Sequence, residues 1–263
     1  MRDDGGMRAQ YGAESADLAL GGPTAPADTA AGPDSHLYPR VTSFRSRRST
    51  ISEGQQQTWE RLWPQLGVQV RTPDSPVTPL DTTAWFGRTA PVVLEIGSGT
   101  GTSTLAMAKA EPDVDVVAVE VYRRGLAQLL SAIDRDHVTN IRLVRGDGVD
   151  VLEHMIGSES LTAVRVFFPD PWPTARHHKR RLLQASTVAL IADRLRQGGI
   201  LHAATDHAGY AEQIAEVGDA EPRLRRVPAG AGTPISVDRP ITKYETKAQH
   251  AGSAVTELVW ERA

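Results

Sequence analysis

The 263-residue sequence contains no cysteine. Disulfides, thiolate metal sites and cysteine nucleophiles are therefore excluded, and the composition fits a cytoplasmic protein. No apolar run approaches the roughly 18 residues of a membrane span. The first residues, Met-Arg-Asp-Asp, lack the basic-then-apolar pattern of a secretory leader, so neither leader nor membrane attachment is expected. Aromatic residues make up only 5% and the formal net charge is only −3, so a globally basic nucleic-acid binder is excluded. The average hides a division, however. Residues 1–39 hold two Arg against six Asp or Glu, which leaves 27 cations and 26 acids for the rest of the chain. A basic face fits within a chain of this kind.

Residues 1–39 also hold ten Gly or Pro and eight Ala without an apolar period. They are expected to form a disordered acidic tail, unable to bury enough surface to offset ordering entropy. Residues 40–263 are expected to form one domain. It opens with a basic arm, "RVTSFRSRRST" (40–50), which is either a solvated leader or a segment that orders on a ligand. A helix should follow through "SEGQQQTWERLWPQL", with Ser52 as N-cap and Pro64 as its stop.

From Pro91 strand and helix signals alternate. Strands are expected at 92–96, 114–121, 140–147, 162–168 and 198–205. Helices are expected at 102–110, 123–133, 151–156, 178–196 and 208–217, the fourth carrying Leu183, Leu190, Ile191 and Leu195 on one stripe. "RLRRV" and "VTELVWER" are expected to pair as terminal strands, and residues 218–240 read mainly as loop. The fold class is α/β, Rossmann-like: a mostly parallel twisted sheet with helices on both faces and an antiparallel terminal strand. Arg165 falls in the middle of a strand and needs a strand edge or an acidic partner.

"LEIGSGTG" places Gly97, Gly99 and Gly101 between the first strand of the alternating run and its helix. Glycines there let the backbone approach a ligand. Dinucleotide folds space them G-x-G-x-x-G, and here the third position is Thr102. Glu95 two residues before the loop would repel a pyrophosphate but suits an ammonium. Glu120 ends the next strand, where an acid takes both ribose hydroxyls, and Asp147 ends the third, near an adenine edge. Each acid taken singly reads equally as a helix cap or a surface group. Together with the glycine loop they point to S-adenosyl-L-methionine and a class I methyltransferase.

"FFPDPWPTARHHKRR" (167–181) speaks to the acceptor. Asp170 stands at the mouth of the expected site. Trp172 offers either a flat surface for a base or a packed core residue. The run Arg176, His177, His178, Lys179, Arg180 and Arg181 reads as a phosphate track, with a solvated helix face as the alternative. The two neighbouring histidines point different ways and lack a third ligand, so no metal site is expected.

At these residues the chain resembles the bacterial tRNA (guanine-N7-)-methyltransferase family. The resemblance runs from about Thr42 to the C-terminus and rests on "TSF", "LEIGSGTG", "VEVYRRG", "FFPDPW", "RHHKRRL" and "RPITKYE". It implies methyl transfer from S-adenosyl-L-methionine to N7 of a variable-loop guanosine in tRNA, giving 7-methylguanosine. It implies Glu95, Gly97, Gly99, Glu120, Asp147 and Asp170 around the cofactor, with Asp170 also catalytic. It implies that Asp206 and Thr242, Lys243, Tyr244 and Glu245 contact the guanosine, and that Arg176–Arg181 touch RNA. The family usually has Lys where this chain has Thr174, which puts part of the substrate grip in doubt or hands it to a cation such as Lys179. Whether the chain acts as monomer or homodimer is not legible. Rival readings are a class I methyltransferase with another substrate, an RNA-binding protein that has lost catalysis, and a nicotinamide oxidoreductase.

Overall fold

The structure, a computed structural model, describes residues 44, 50–70, 79–228, 230, 232–241 and 254–263. The tail at 1–39, nearly all of the arm at 40–50, and Thr242 to Glu245 lie outside the described residues.

Helix α1 (Glu53–Leu66) starts as the sequence requires. Ser52 caps it, accepting from the Gln55 N–H at 3.3 Å while its own N–H donates to the Gln55 side chain at 3.0 Å. Pro64 does not end the helix but lies inside its last turn. A proline there costs one backbone bond, and stacked Trp59 and Trp63, 4.1 Å apart, hold that turn against the core.

Among the described residues eight strands follow: β1 (Gly67–Gln69), β2 (Val92–Ile96), β3 (Asp115–Glu120), β4 (Ile141–Arg145), β5 (Leu161–Phe167), β6 (Leu195–Thr205), β7 (Leu224–Val227) and β8 (Thr256–Arg262). Their order in the sheet is β1-β4-β3-β2-β5-β6-β8-β7. The pairings from β1 to β6 are parallel, and β8 runs antiparallel to both β6 and β7. β2 and β3 are buried along their whole length, which is why both are mainly apolar, the charged Glu95, Asp115 and Glu120 being buried with them. The chain leaves β2 toward β3 on one side and returns to β5 on the other. A crevice at the carboxyl ends of the strands is expected at such a switch point.

Helices α3 (Thr102–Ala110), α4 (Arg123–Asp136), α5 (Gly148–His154), α6 (Ala185–Arg194) and α7 (Ala208–Ala220) complete the layers, with a short α2 (Thr82–Phe86). Apolar residues on α4 and half-buried ones on α1 pack with Val93, Val116 and Ile141. Those on α5, α6 and α7 pack with Leu94, Val117 and Val164. β1 and α2 were not expected from sequence, being too short for a periodic signal. The terminal pair β7–β8 forms as expected.

The helix expected over 178–196 is a correction. Residues Ala175–Arg180 form a 3-10 turn, α6 covers only Ala185–Arg194, and Leu195 already belongs to β6. The Leu183 N–H donates to the Tyr210 hydroxyl at 3.0 Å, a tertiary bond that replaces a helical one.

Arg165 finds its acid. It is 1% exposed and donates from Nη2 to Glu111 at 3.0 Å and to the Ser236 carbonyl at 3.3 Å. Glu111 in turn accepts the Ser236 N–H at 2.7 Å, so an extended segment after β7 is bound to the buried charge. Ile235 and Val237 of that segment enter the core beside Ala163, Ile200 and Val259.

Candidate functional site

The crevice at the switch point is a cavity of about 270 Å³. The glycine loop, the ends of β3 and β4, and the corner Phe167–Asp170 line it, together with Phe44, Tyr122 and Leu182. Two acids face it, Glu120 and Asp170, and none of the described lining residues is Lys, Arg or His.

The loop is built by left-handed backbone: φ is 81° at Gly97, 57° at Gly99 and 78° at Gly101. At Gly101 a Cβ would also meet Leu129 of α4 at 2.5 Å. Gly125 in the first turn of α4 is needed for a different reason. A Cβ there would sit 2.1 Å from the Gly99 carbonyl oxygen. Gly125 was overlooked as a site residue although it closes the motif "VEVYRRG"; its signal is a glycine in the first turn of a helix, where propensity disfavours it.

Glu120 is held by three backbone donors. Its Oε2 accepts the Gly99 N–H at 2.9 Å, and its Oε1 accepts those of Val121 and Tyr122 at 2.7 and 3.0 Å. Its pKa is nonetheless raised, chiefly by burial, with Asp170 adding repulsion against the bonds that lower it. Glu95 is buried behind the loop and is not a lining residue. Its Oε1 accepts from the Thr104 hydroxyl at 2.8 Å and its Oε2 has no hydrogen-bond partner among the described residues. Burial raises its pKa as well, against Thr104 and the Arg165 charge. Asp147 caps α5 by accepting the Val149 N–H at 2.8 Å, and the cavity is lined by its neighbours Gly146 and Gly148.

Buried acids with raised pKa favour a cationic ligand, and a carboxylate at a strand end suits vicinal hydroxyls. Such a donor set fits S-adenosyl-L-methionine and opposes a pyrophosphate. Glu120, Asp170 and the backbone of Gly97 and Gly99 are the groups that would hold it.

The expected acceptor residues are only partly gathered. Asp170 is exposed at the cavity rim. Asp206 is exposed just beyond β6, outside the cavity lining. Thr174 is exposed at the start of the 3-10 turn, with Arg176 and Lys179 exposed behind it. His177 accepts from Arg176 Nε at 3.1 Å, and His178 faces the Pro173 carbonyl at 3.4 Å.

Of the two readings of Trp172 the packed core residue holds, and one member of the basic run lies elsewhere than expected. Trp172 is only 4% exposed, and the Arg180 guanidinium lies over its ring, so the indole offers no open face to a base. Arg181 is not part of a phosphate track. It is 4% exposed and donates to the Pro171 and Gly209 carbonyls at 2.8 and 3.1 Å and to Gln213 at 2.7 Å. The aromatic walls of the cavity are instead Phe44, Tyr122, Phe167 and Phe168. The pair of phenylalanines was visible in "FFPDPW" but read as strand.

Asp150, Glu153 and His154 on α5 bring three potential metal-ligand atoms within 4.8 Å of one another; none of the three lines the cavity. No helix among the described residues is long and apolar enough to cross a membrane.

A family model described as "Putative methyltransferase" matches residues 89–258. The chain is 70% identical over 246 residues to the tRNA (guanine-N(7)-)-methyltransferase of Mycolicibacterium gilvum, covering 91% of this chain and 93% of that one. It is 74% identical over 239 residues to the protein of the same name from Mycolicibacterium vanbaalenii, covering 88% and 90%. A third, from Mycobacterium avium, is 64% identical over 268 residues with full coverage of both.

Proposed function

The chain belongs to the tRNA (guanine-N(7)-)-methyltransferase family, and from that premise we propose that it transfers the methyl group of S-adenosyl-L-methionine to N7 of a tRNA guanine, with Asp170 as the catalytic side chain. The observation that carries the reading in the structure is the cavity itself. It presents Glu120 and Asp170 and, among the described residues, no cation, beneath a glycine loop at the sheet's switch point. A nicotinamide oxidoreductase would need the opposite charge around its phosphates.

Bound cofactor supplies an electrophilic methyl: the N7 lone pair forms the N–C bond as the S–C bond breaks, leaving a neutral thioether and a cationic purine. N7 carries no proton, so the chain need not supply a base. Its task is alignment and exclusion of water. Phe167 and Phe168 wall the cavity on the side that ends in Asp170. The Asp170 carboxylate is assigned to accept from guanine N1–H and the exocyclic amine, which would orient the base and favour its growing positive charge. Asp206 and the segment Thr242–Glu245 are assigned to the same nucleoside, as the resemblance implies. A guanosine stacked inside folded tRNA must first be extruded, at a few kcal/mol.

RNA is held by the exposed cations Arg176 and Lys179 and by the arm at 40–50, with Lys179 compensating for Thr174. Residues 40–263 are assigned to the methyltransferase domain, apart from the acidic segment 1–39. The reaction requires no metal and takes place in the cytoplasm.

The direct test is mass spectrometry of nucleosides from unmodified tRNA incubated with the protein and S-adenosyl-L-methionine. Stoichiometric 7-methylguanosine is expected. Another methylated nucleoside would replace the acceptor in this reading, and no methylation by a protein that binds the cofactor would reduce it to an RNA-binding role.

A further inference from the structure

Arg239 has been given no role above, yet it joins the last strand of the sheet to the wall of the cavity. It belongs to the extended segment after β7 that Arg165 and Glu111 fix at Ser236. Its side chain is 2% exposed. Nε and Nη2 both donate to Oε1 of Glu257 on β8, at 3.1 and 2.7 Å. The other carboxylate oxygen of Glu257 faces Nε2 of buried His202 at 3.2 Å. That bond first, and Arg239 second, hold the Glu257 carboxyl down at about 2 despite partial burial, so it is an anion throughout the working range. A carboxylate only accepts, so His202 presents a hydrogen at Nε2.

From Glu257 the chain of contacts turns toward the cavity. The Arg239 guanidinium carbon lies 5.6 Å from the ring centre of Phe167 and 5.0 Å from that of Phe168. His202 meets Phe167 edge-on at 4.9 Å. Both phenylalanines line the cavity, and Asp170 follows two residues later. Phe168 needs such support. Its φ is 50°, a left-handed conformation that costs a bulky residue about 1–2 kcal/mol and persists only where surroundings impose it. Its N–H is bound to the Ala204 carbonyl at 2.8 Å, which fixes one side of the turn; Arg239 covers its ring.

We propose that Arg239 is a positioning residue for methyl transfer: held by Glu257 and His202, it clamps the Phe167–Phe168 corner so that Asp170 meets the acceptor. The proposal rests on the functional reading above. Lysine cannot replace the arginine, because one ammonium cannot both bind the carboxylate through two donors and lie flat across two rings.

The experiment compares wild type, Arg239→Ala, Arg239→Lys and Glu257→Gln in steady-state methylation of unmodified tRNA, with cofactor affinity by calorimetry and thermal midpoints measured in parallel. Arg239→Ala should lower kcat by about 10- to 100-fold, the usual consequence of misplacing a reacting group, while cofactor affinity changes much less. Arg239→Lys should regain most of the thermal stability but not the kcat. An unchanged kcat in folded Arg239→Ala overturns the proposal, as does full recovery of kcat by Arg239→Lys. If Arg239→Ala does not fold, Arg239→Lys and Glu257→Gln decide: a lowered kcat in both supports the clamp and wild-type kcat in either overturns it. The wild type separates the two readings, since its failure to make 7-methylguanosine sinks the assigned reaction whatever the variants do.

Discussion

The guanidinium carbon of Arg180 lies 4.1 Å from the centre of the Trp172 ring. A cation in this position turns a presumptive base platform into a support for the turn that follows Asp170. The next residue, Arg181, faces inward, over Tyr210 at 4.8 Å. Adjacent arginines of one basic run therefore have unlike roles. Arg181→Ala is expected to destabilise the fold by about 2–4 kcal/mol, through three lost bonds and orphaned carbonyls, and to leave the salt dependence of tRNA binding unchanged. Replacing both Arg176 and Lys179 by Ala should do the reverse, lowering the slope of log K against log salt by roughly 1.5 with little change in stability. Thermal denaturation and binding titrations at several salt concentrations check both.

Asp170→Ala should weaken cofactor binding far less than it lowers methylation, because Glu120 and the glycine loop remain, and methylation should fall by about two to three orders of magnitude, the size of effect seen when a group that meets transition-state charge is removed. Because Asp170 repels the Glu120 charge, its loss should also lower the Glu120 pKa. Single-turnover methylation and a pH titration of cofactor affinity measure the two effects. Turnover at the wild-type rate would take Asp170 out of the chemistry.

Gly125→Ala should weaken cofactor binding more than any other single-methyl addition to α4. Its Cβ would stand 2.1 Å from the Gly99 carbonyl oxygen, so the glycine loop must move. The cost of such overpacking is about 1–3 kcal/mol, or roughly 5- to 150-fold in affinity if it falls wholly on the loop. Calorimetry with S-adenosyl-L-methionine reads it directly.

Glu257→Gln has a pH signature. The carboxyl falls from an ordinary 4.5 to about 2 on folding, so its ionised form stabilises the protein above pH 4.5 and that contribution is lost as pH drops toward 2. Glu95 and Glu120 have the opposite sign: their raised pKa makes their contribution greatest below 4.5 and smallest once pH has risen through the folded values. The stability gap between wild type and Glu257→Gln should therefore narrow below pH 4.5, and Glu95→Gln should stabilise the protein at neutral pH. Denaturant titrations from pH 7 down to about 3 test both, and a gap constant across that range would contradict the Glu257 assignment.

Much of the frame was legible because it is local. β2 and α3 begin and end where the apolar run, the glycines and the periodicity say, and Ser52 caps α1 through a motif four residues long. The failures come from contacts distant in sequence. The stripe of Leu183, Leu190, Ile191 and Leu195 satisfies a helical period, but Tyr210 captures the Leu183 amide and β6 captures Leu195. The acids of the site were legible by type and place. Which of them touch the cavity was not, since the burial of Glu95 and the capping role of Asp147 depend on α3 and α5 closing around them. The choice between the two readings of Trp172, and the burial of Arg181, were not legible for the same reason: whether a ring or a cation meets water is decided by what folds over it.

The sheet order has a consequence for biosynthesis. β8 is translated after every other strand, yet it lies between β6 and β7. A chain in which β8 has yet to form can pair β2 through β6, but it leaves β7 without its partner strand, Trp260 unburied, and Glu257 away from His202 and Arg239. Closing the sheet therefore waits for β8, and until it inserts the edge of β6 is open and the Phe167–Phe168 corner lacks its brace.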